Sequence, residues 1–170
     1  MLKRTHKVAV YMEGHIYSEY GKMGMGVLRY LENKIVCVID SKYSKTDIND
    51  HYPNLKPVPI VNDLESAIKL KAEVLILGIA PSGGKVPSDW YPVIKMALSK
   101  GLSIINGLHD LLENRFKNLV SKKNQWIWDV RVPNFIPEIA TGKAAKLNNK
   151  RLLMVGTDMA CGKMTTALEI

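Results

Sequence analysis

Cysteine is scarce in this chain: there are two, Cys37 and Cys161, among 170 residues, and neither has a CxxC partner. A disulfide scaffold is therefore not expected, and a cysteine-ligated zinc site has too few ligands. No apolar run approaches the roughly 18 residues of a membrane span. The start MLKRTHK leads into only five apolar residues, VAVYM, too few for a signal peptide. A soluble, cytoplasmic protein is the expectation. Aromatic residues are also few, at 7%. The basic surplus, 24 Lys and Arg against 16 Asp and Glu, gives a formal charge of +8. Its densest patch, FKNLVSKK, carries Lys117, Lys122 and Lys123 without the interleaved aromatics of a single-strand platform, so it reads as a solvated helix face. No nucleic-acid partner is expected, and the charge fits attraction of anionic metabolites instead.

What is present is alternation. Apolar runs that read as buried strands occur at 7–12, 35–40, 58–61, 73–80, 102–106 and 125–131. Helical spacing lies between most of them, at 25–32, 63–71, 88–100 and 108–124, with Asp63 placed to cap the second. The stretch 41–57 reads as a loop. The βα repetition predicts a Rossmann-like parallel sheet with helices on both faces over residues 1–133. Residues 134–150, with a proline at 137, read as a linker or crossing segment. A new strand is expected at 151–156, feeding a Gly-rich turn and a helix, so 151–170 reads as the beginning of a P-loop domain. A βαβ unit needs a returning strand, and this second unit is expected to be truncated.

The turn GTDMACGKMTT, from Gly156 to Thr166, is the strongest chemical motif. A strand, a Gly-rich turn and a helix opened by Gly-Lys together offer backbone N–H groups and a lysine to phosphate oxygens. Gly156, Thr157, Asp158, Gly162, Lys163, Met164 and Thr165 are the expected phosphate-binding residues. Five residues separate Gly156 from Gly162, one more than usual, and Met164 stands where a Mg²⁺-binding Ser or Thr is expected. Helical rotation of about 100° per residue keeps Thr165 from simply replacing it. Asp158 would repel phosphate, though it could meet Mg²⁺ or a substrate ammonium. Cys161 lies in the loop, where N–H groups could lower its pKa, and Cys37 reads as core packing.

Other polar residues follow the strands, where ligands of open α/β sheets collect. Asp40, Ser82, Gly83, Gly84, Asn106, Asp129 and Arg131 are the substrate-binding candidates. Ser82-Gly83-Gly84 could form an anion nest, and Arg131 could pair with a carboxylate. His15 and His109 are the catalytic candidates, each able to act as a base. No metal site is expected. The first strand is followed by MEGHIYSEYG rather than G-x-G-x-x-G, so a NAD fingerprint is not supported.

The loop GTDMACGK resembles the long P-loop of dethiobiotin synthetase. The chain as a whole is similar to the DUF1611 family, on GVLRYLENKIVCVIDS, AEVLILGIAPSGGKVP, GLSIINGLHDLL, IWDVRVP and VGTDMACGKMTTALEI. The family pairs an N-terminal Rossmann-like domain with a C-terminal P-loop domain. Its Lys-Met-Thr-Thr ending also occurs here, so Met164 departs from ordinary P-loops but not from these relatives. The resemblance implies acetyl-CoA-dependent N-acetylation of D-glutamate or a similar small acidic amino acid. The alternatives are an ATP- and Mg²⁺-dependent kinase or ligase, supported by Lys163, and a noncatalytic nucleotide-responsive regulator. The expected partners are a small acidic metabolite, a phosphate-containing cofactor and further copies of the chain, with no membrane.

Overall fold

The computed structural model describes residues 1–133, 135–136, 138–158 and 161–170. Asn134 and Pro137 of the expected linker, and Met159 and Ala160 of the expected phosphate loop, lie outside the described residues. The chain divides into two compact units, Met1–Asn134 and Phe135–Ile170.

The first unit holds six strands: β1 (Val8–Tyr11), β2 (Ile35–Ile39), β3 (Ile60–Val61), β4 (Val74–Leu77), β5 (Ser103–Asn106) and β6 (Ile127–Asp129). They form one parallel sheet in the order β3-β2-β1-β4-β5-β6. This is the α/β Rossmann-like sheet that the βα alternation predicts. The helices are α1 (Lys22–Tyr30), α2 (Ile48–His51), α3 (Leu64–Lys69), α4 (Tyr91–Ser99) and α5 (Leu112–Phe116). Strand β1 is buried along its whole length because both of its faces are covered. Alternation sends Val8 and Val10 into one core with Leu28 of α1 and Ile48 of α2. Ala9 and Tyr11 enter the other, with Leu64 of α3, Ile94 and Leu98 of α4, and Phe116 of α5. Each fully buried Leu or Ile contributes roughly 1.5–3 kcal/mol, so the two cores hold helices that are too short to stand alone.

Three local expectations are revised. The expected loop at 41–57 contains α2, whose entry is tied by the Asp47 amide donating to Asp50 Oδ2 at 2.8 Å. The expected helix at 108–124 begins only at Leu112, where Asp129 collects the amides of Leu112 and Glu113 at 3.1 and 3.0 Å. It tightens to a 3₁₀ turn at Lys117–Leu119. In the second unit, helix α6 (Lys163–Glu169) is present, but 151–156 forms no strand. A ladder needs a neighbouring strand, and the second unit contains none among its described residues.

The chain leaves β1 toward β2 and β3, then returns to β4 on the other side. That puts the topological switch point between β1 and β4. Here α1 comes unusually close to the sheet. The Gly24 amide donates to the Gly78 carbonyl at 2.7 Å, and the Ala80 amide to the Tyr20 carbonyl at 2.8 Å. A methyl group on Gly78 would lie 2.8 Å from Val10 Cγ1 and 2.9 Å from Gly24 Cα. Gly78→Ala should therefore destabilise the first unit by about 1–3 kcal/mol through overpacking. A urea titration of the variant checks this, and an unchanged midpoint would show that α1 can retreat without loss.

Candidate functional site

The residues after β1 and β2 form one carboxylate-rich corner. Glu13 accepts the Ser41 amide at 2.9 Å and also the Ser41 hydroxyl. Asp40 is fully buried, and its Oδ1 accepts the Lys42 amide at 3.0 Å. Burial raises its pKa and the Glu13 charge adds to this, while the amides of Lys42, Gly14 and Ile16 pull the other way. Its Oδ2 has no hydrogen-bond partner of normal geometry among the described residues. Asp40 therefore organises the turn into Ser41–Tyr43 rather than presenting a carboxylate to solvent. His15 is half-buried, with Nδ1 2.7 Å from Ser18 Oγ and its ring edge-on to Tyr20.

The other candidates gather around the loops after β4 and β5. Gly83 and Gly84 both take positive φ, 76° and 63°, in a short 3₁₀ turn with Ser82. The Gly84 amide donates to the Pro81 carbonyl at 2.9 Å, and the Gly84 carbonyl accepts the His109 amide at 2.8 Å. The exposed His109 ring lies over Gly84, where a side chain would displace it. One amide of the expected nest is thus already bonded. Asn106 and Asp129 are buried and joined by a 2.8 Å hydrogen bond from Asn106 Nδ2 to Asp129 Oδ1. Asn106 also donates to the Asp110 carbonyl and accepts the Leu108 amide. With Leu112 and Glu113 on Asp129, this pair is a closed network that starts α5. Arg131 is exposed and forms no ion pair among the described residues.

The two halves of the WDVR segment therefore separate by role. Asp129→Ala should lower stability by about 2–3 kcal/mol, because buried N–H donors lose their acceptor. Arg131→Ala should change it by about 0.5 kcal/mol or less. Chemical denaturation of both variants measures the difference.

In the second unit, Gly162 takes φ 93° as it opens α6, a left-handed conformation that favours glycine. A side chain on Gly156 would collide with Cys161 Sγ and the Lys163 stem. The Lys163 ammonium turns back over the loop, donating to the Asp158 carbonyl and to Cys161 Sγ at 3.2 Å. Thr166 Oγ1 donates to the Gly162 carbonyl at 3.1 Å, and Met164 is exposed. Thr157, Asp158 and Thr165 are exposed as well. A phosphate fits this donor set: an ammonium that already donates to a carbonyl oxygen and a sulfur, and two glycines that keep the backbone approachable. Mg²⁺ fits it less well, because Met164 offers no oxygen at the usual ligating position. Among the described residues, no three His, Cys, Asp or Glu side chains could hold a metal ion together.

The Lys163 contact lowers the pKa of Cys161, whereas burial pushes Cys37 up to about 12. A lower pKa means more thiolate, the reactive form, at a given pH. Iodoacetamide at neutral pH should alkylate Cys161 and spare Cys37, and Lys163→Ala should slow the Cys161 reaction several-fold. Peptide mass mapping over time follows both.

Sequence reasoning passed over one further feature of the first unit. Tyr11, Asn62, Asp63, Glu65 and Asp89 line a cavity of about 370 Å³ together with Glu13 and apolar residues of α3 and α4. Their position at the end of β1, after β3, at the start of α3 and in the turn before α4 was the available signal.

Comparison with known proteins supports this reading of the architecture. A Rossmann-like domain of unknown function, DUF1611_N, matches residues 41–133, and the P-loop domain DUF1611_C matches residues 138–170. A D-glutamate N-acetyltransferase from Pseudoalteromonas is 46% identical over 107 residues, covering 61% of this chain and 31% of that protein. Another from Tritonibacter scottomollicae is 39% identical over 109 residues, covering 63% and 32%. The matched stretch spans about a third of the length of these curated relatives. The crystal structure of a DUF1611 protein from Anabaena variabilis agrees with a TM-score of 0.90 at 40% identity, over 97% of this chain and 48% of that one. With a parallel Rossmann-like sheet followed by a P-loop segment, the chain belongs to the DUF1611 family.

Proposed function

We propose that this chain serves an acetyl-CoA-dependent N-acetyltransferase acting on D-glutamate or a similar small acidic amino acid. The observation that carries the reading is the identity of 46% and 39% to two D-glutamate N-acetyltransferases. The chemistry is acyl transfer. The substrate ammonium loses a proton to a base, the free amine attacks the thioester carbonyl, a C–N bond forms, the C–S bond breaks and the coenzyme leaves as a thiol.

Each unit has residues suited to part of this work. In the second, Gly156, Gly162 and Lys163 would hold coenzyme phosphate, the ammonium of Lys163 exchanging its loop carbonyl for a phosphate oxygen. Thr157 and Thr165 are exposed and could add hydroxyl donors. In the first, the exposed guanidinium of Arg131 suits a substrate carboxylate, and Ser82 with the Gly83 turn offers further donors. His15 is the better-placed base of the two histidines, since Ser18 fixes its Nδ1 and its Nε2 has no hydrogen bond among the described residues. His109 is the alternative.

A second reading, ATP- and Mg²⁺-dependent phosphoryl transfer or ligation, draws on Lys163 and the long loop between Gly156 and Gly162. The residue type at Met164 favours the coenzyme.

The test uses a protein of the relatives' length that carries this sequence. It is incubated with D-glutamate and either acetyl-CoA or ATP with Mg²⁺, and products are read by mass spectrometry. N-acetyl-D-glutamate with free coenzyme A is the expected outcome, and a phosphorylated or nucleotide product would transfer the protein to the second reading. Lys163→Ala should weaken coenzyme A binding by about tenfold, the scale of one charge-assisted phosphate contact. Equal calorimetric affinity in the two proteins would remove the lysine from the site.

A further inference from the structure

The cavity of about 370 Å³ in the first unit has a volume suited to a small ligand. Tyr11 of β1 and Ile39 of β2 lie on one side; Leu64 of α3 and Pro92, Val93 and Met96 of α4 supply apolar wall. Around this apolar body stand four carboxylates, Glu13, Asp63, Glu65 and Asp89, and among the described residues no Lys, Arg or His lines it. In a chain of net charge +8, that is a local reversal of sign.

Two of the carboxylates are engaged by the fold. Glu13 is held by Ser41, and Asp63 caps α3 by accepting the Ser66 amide at 2.7 Å. Glu65 and Asp89 form no ion pair or hydrogen bond among the described residues. An independent observation comes from Tyr11. It is only 9% exposed, packs edge-on against Trp90 at 5.5 Å and lines the cavity. Its hydroxyl makes no hydrogen bond among the described residues. The hydroxyl is reached from the cavity that Tyr11 lines, so a ligand there can bond to it. Burial, with the charges of Glu13, Asp89 and Asp40, pushes its pKa up to about 12, so it stays protonated and offers both a donor and an acceptor.

The chemistry of an occupant follows. Four carboxylates exclude a phosphate or a dicarboxylate. They do not converge in any group of three that could hold a metal ion. An apolar wall beside an aromatic ring suits a carbon stem and a cation. We infer that the cavity binds a small organic cation, an alkylammonium whose charged group meets Glu65 and Asp89 and the Tyr11 hydroxyl while its stem lies along Leu64, Val93 and Met96. This site is independent of the acetyl-transfer reading, and either can fail alone.

The probe is 1,5-diaminopentane, titrated into ¹⁵N-labelled protein and followed by amide chemical shifts. Saturable shifts at Tyr11, Glu13, Glu65 and Val93 are expected, weakening as salt is raised. Glutarate, of the same carbon count but opposite charge, should produce none at these positions. The double variant Glu65→Gln with Asp89→Asn changes only exposed, near-isosteric side chains and should bind at least about tenfold more weakly. Tyr11→Phe should weaken binding about threefold, the loss of one hydrogen bond. Absence of shifts at millimolar amine, unchanged affinity in the double variant, or equal shifts with glutarate or with Mg²⁺ alone would each overturn the assignment.

Discussion

The Gly24–Gly78 contact governs the first unit. In a sheet of order 3-2-1-4-5-6, the crevice beyond β1 and β4 is where a ligand is ordinarily received. Here two backbone hydrogen bonds, from the Gly24 amide to the Gly78 carbonyl and from the Ala80 amide to the Tyr20 carbonyl, stitch the segment after β1 to the segment after β4. Both are possible because neither Gly24 nor Gly78 carries a side chain; one on Gly24 would strike Met12, and one on Gly78 would strike Val10. An amide in the first turn of α1, the kind that elsewhere faces a pyrophosphate, is satisfied internally. The missing G-x-G-x-x-G pattern and the bridged crevice are thus one fact seen twice. The acidic cavity at this edge lies toward β2, α3 and α4.

Charge then divides the work. The net +8 is carried by dispersed lysines, yet the sheet edge near β1 and β2 gathers Glu13, Asp40, Asp63, Glu65 and Asp89. Buried Asp40 and Asp129 differ instructively within this sheet. Asp129 receives two backbone amides and an Asn106 amide group, so its lone pairs are well used. Asp40 leaves Oδ2 without a partner of normal geometry among the described residues, and burial, with the nearby Glu13 charge, raises its pKa. Strand-end carboxylates that look equivalent in sequence therefore have different jobs: one starts a helix, and the other shapes a turn.

The strands were legible because they are continuous apolar runs, which a sheet covered on both faces demands. The cap at Asp63 was legible because it is local, three residues from the amide it accepts. The start of α5 was not, because it depends on Asp129, 17 residues from Leu112. Gly78 was equally silent: its role depends on α1, 54 residues away, and a lone glycine after a strand has no pattern of its own. The phosphate loop was legible as a motif, since Gly162 does take the left-handed turn that Gly-Lys at a helix start implies. The strand before it was read from composition, and composition cannot supply the neighbour a ladder requires.

The signs of the candidate sites also constrain one another. A dicarboxylic amino acid needs cationic or N–H donors for two carboxylates, and the acidic cavity offers neither in quantity. Under the proposed function, Arg131 and the Ser82–Gly84 turn are the donors of the first unit suited to such a substrate. Asn106 and Asp129 support that region only indirectly: the network they close fixes Asp110, whose carboxylate accepts the Val86 amide at 2.6 Å and so holds the segment following the glycine turn. Removing the Asp129 carboxylate is expected to loosen the Ser82–Gly84 turn through this network. Effects on binding at this edge therefore have to be read against stability before they are assigned to chemistry.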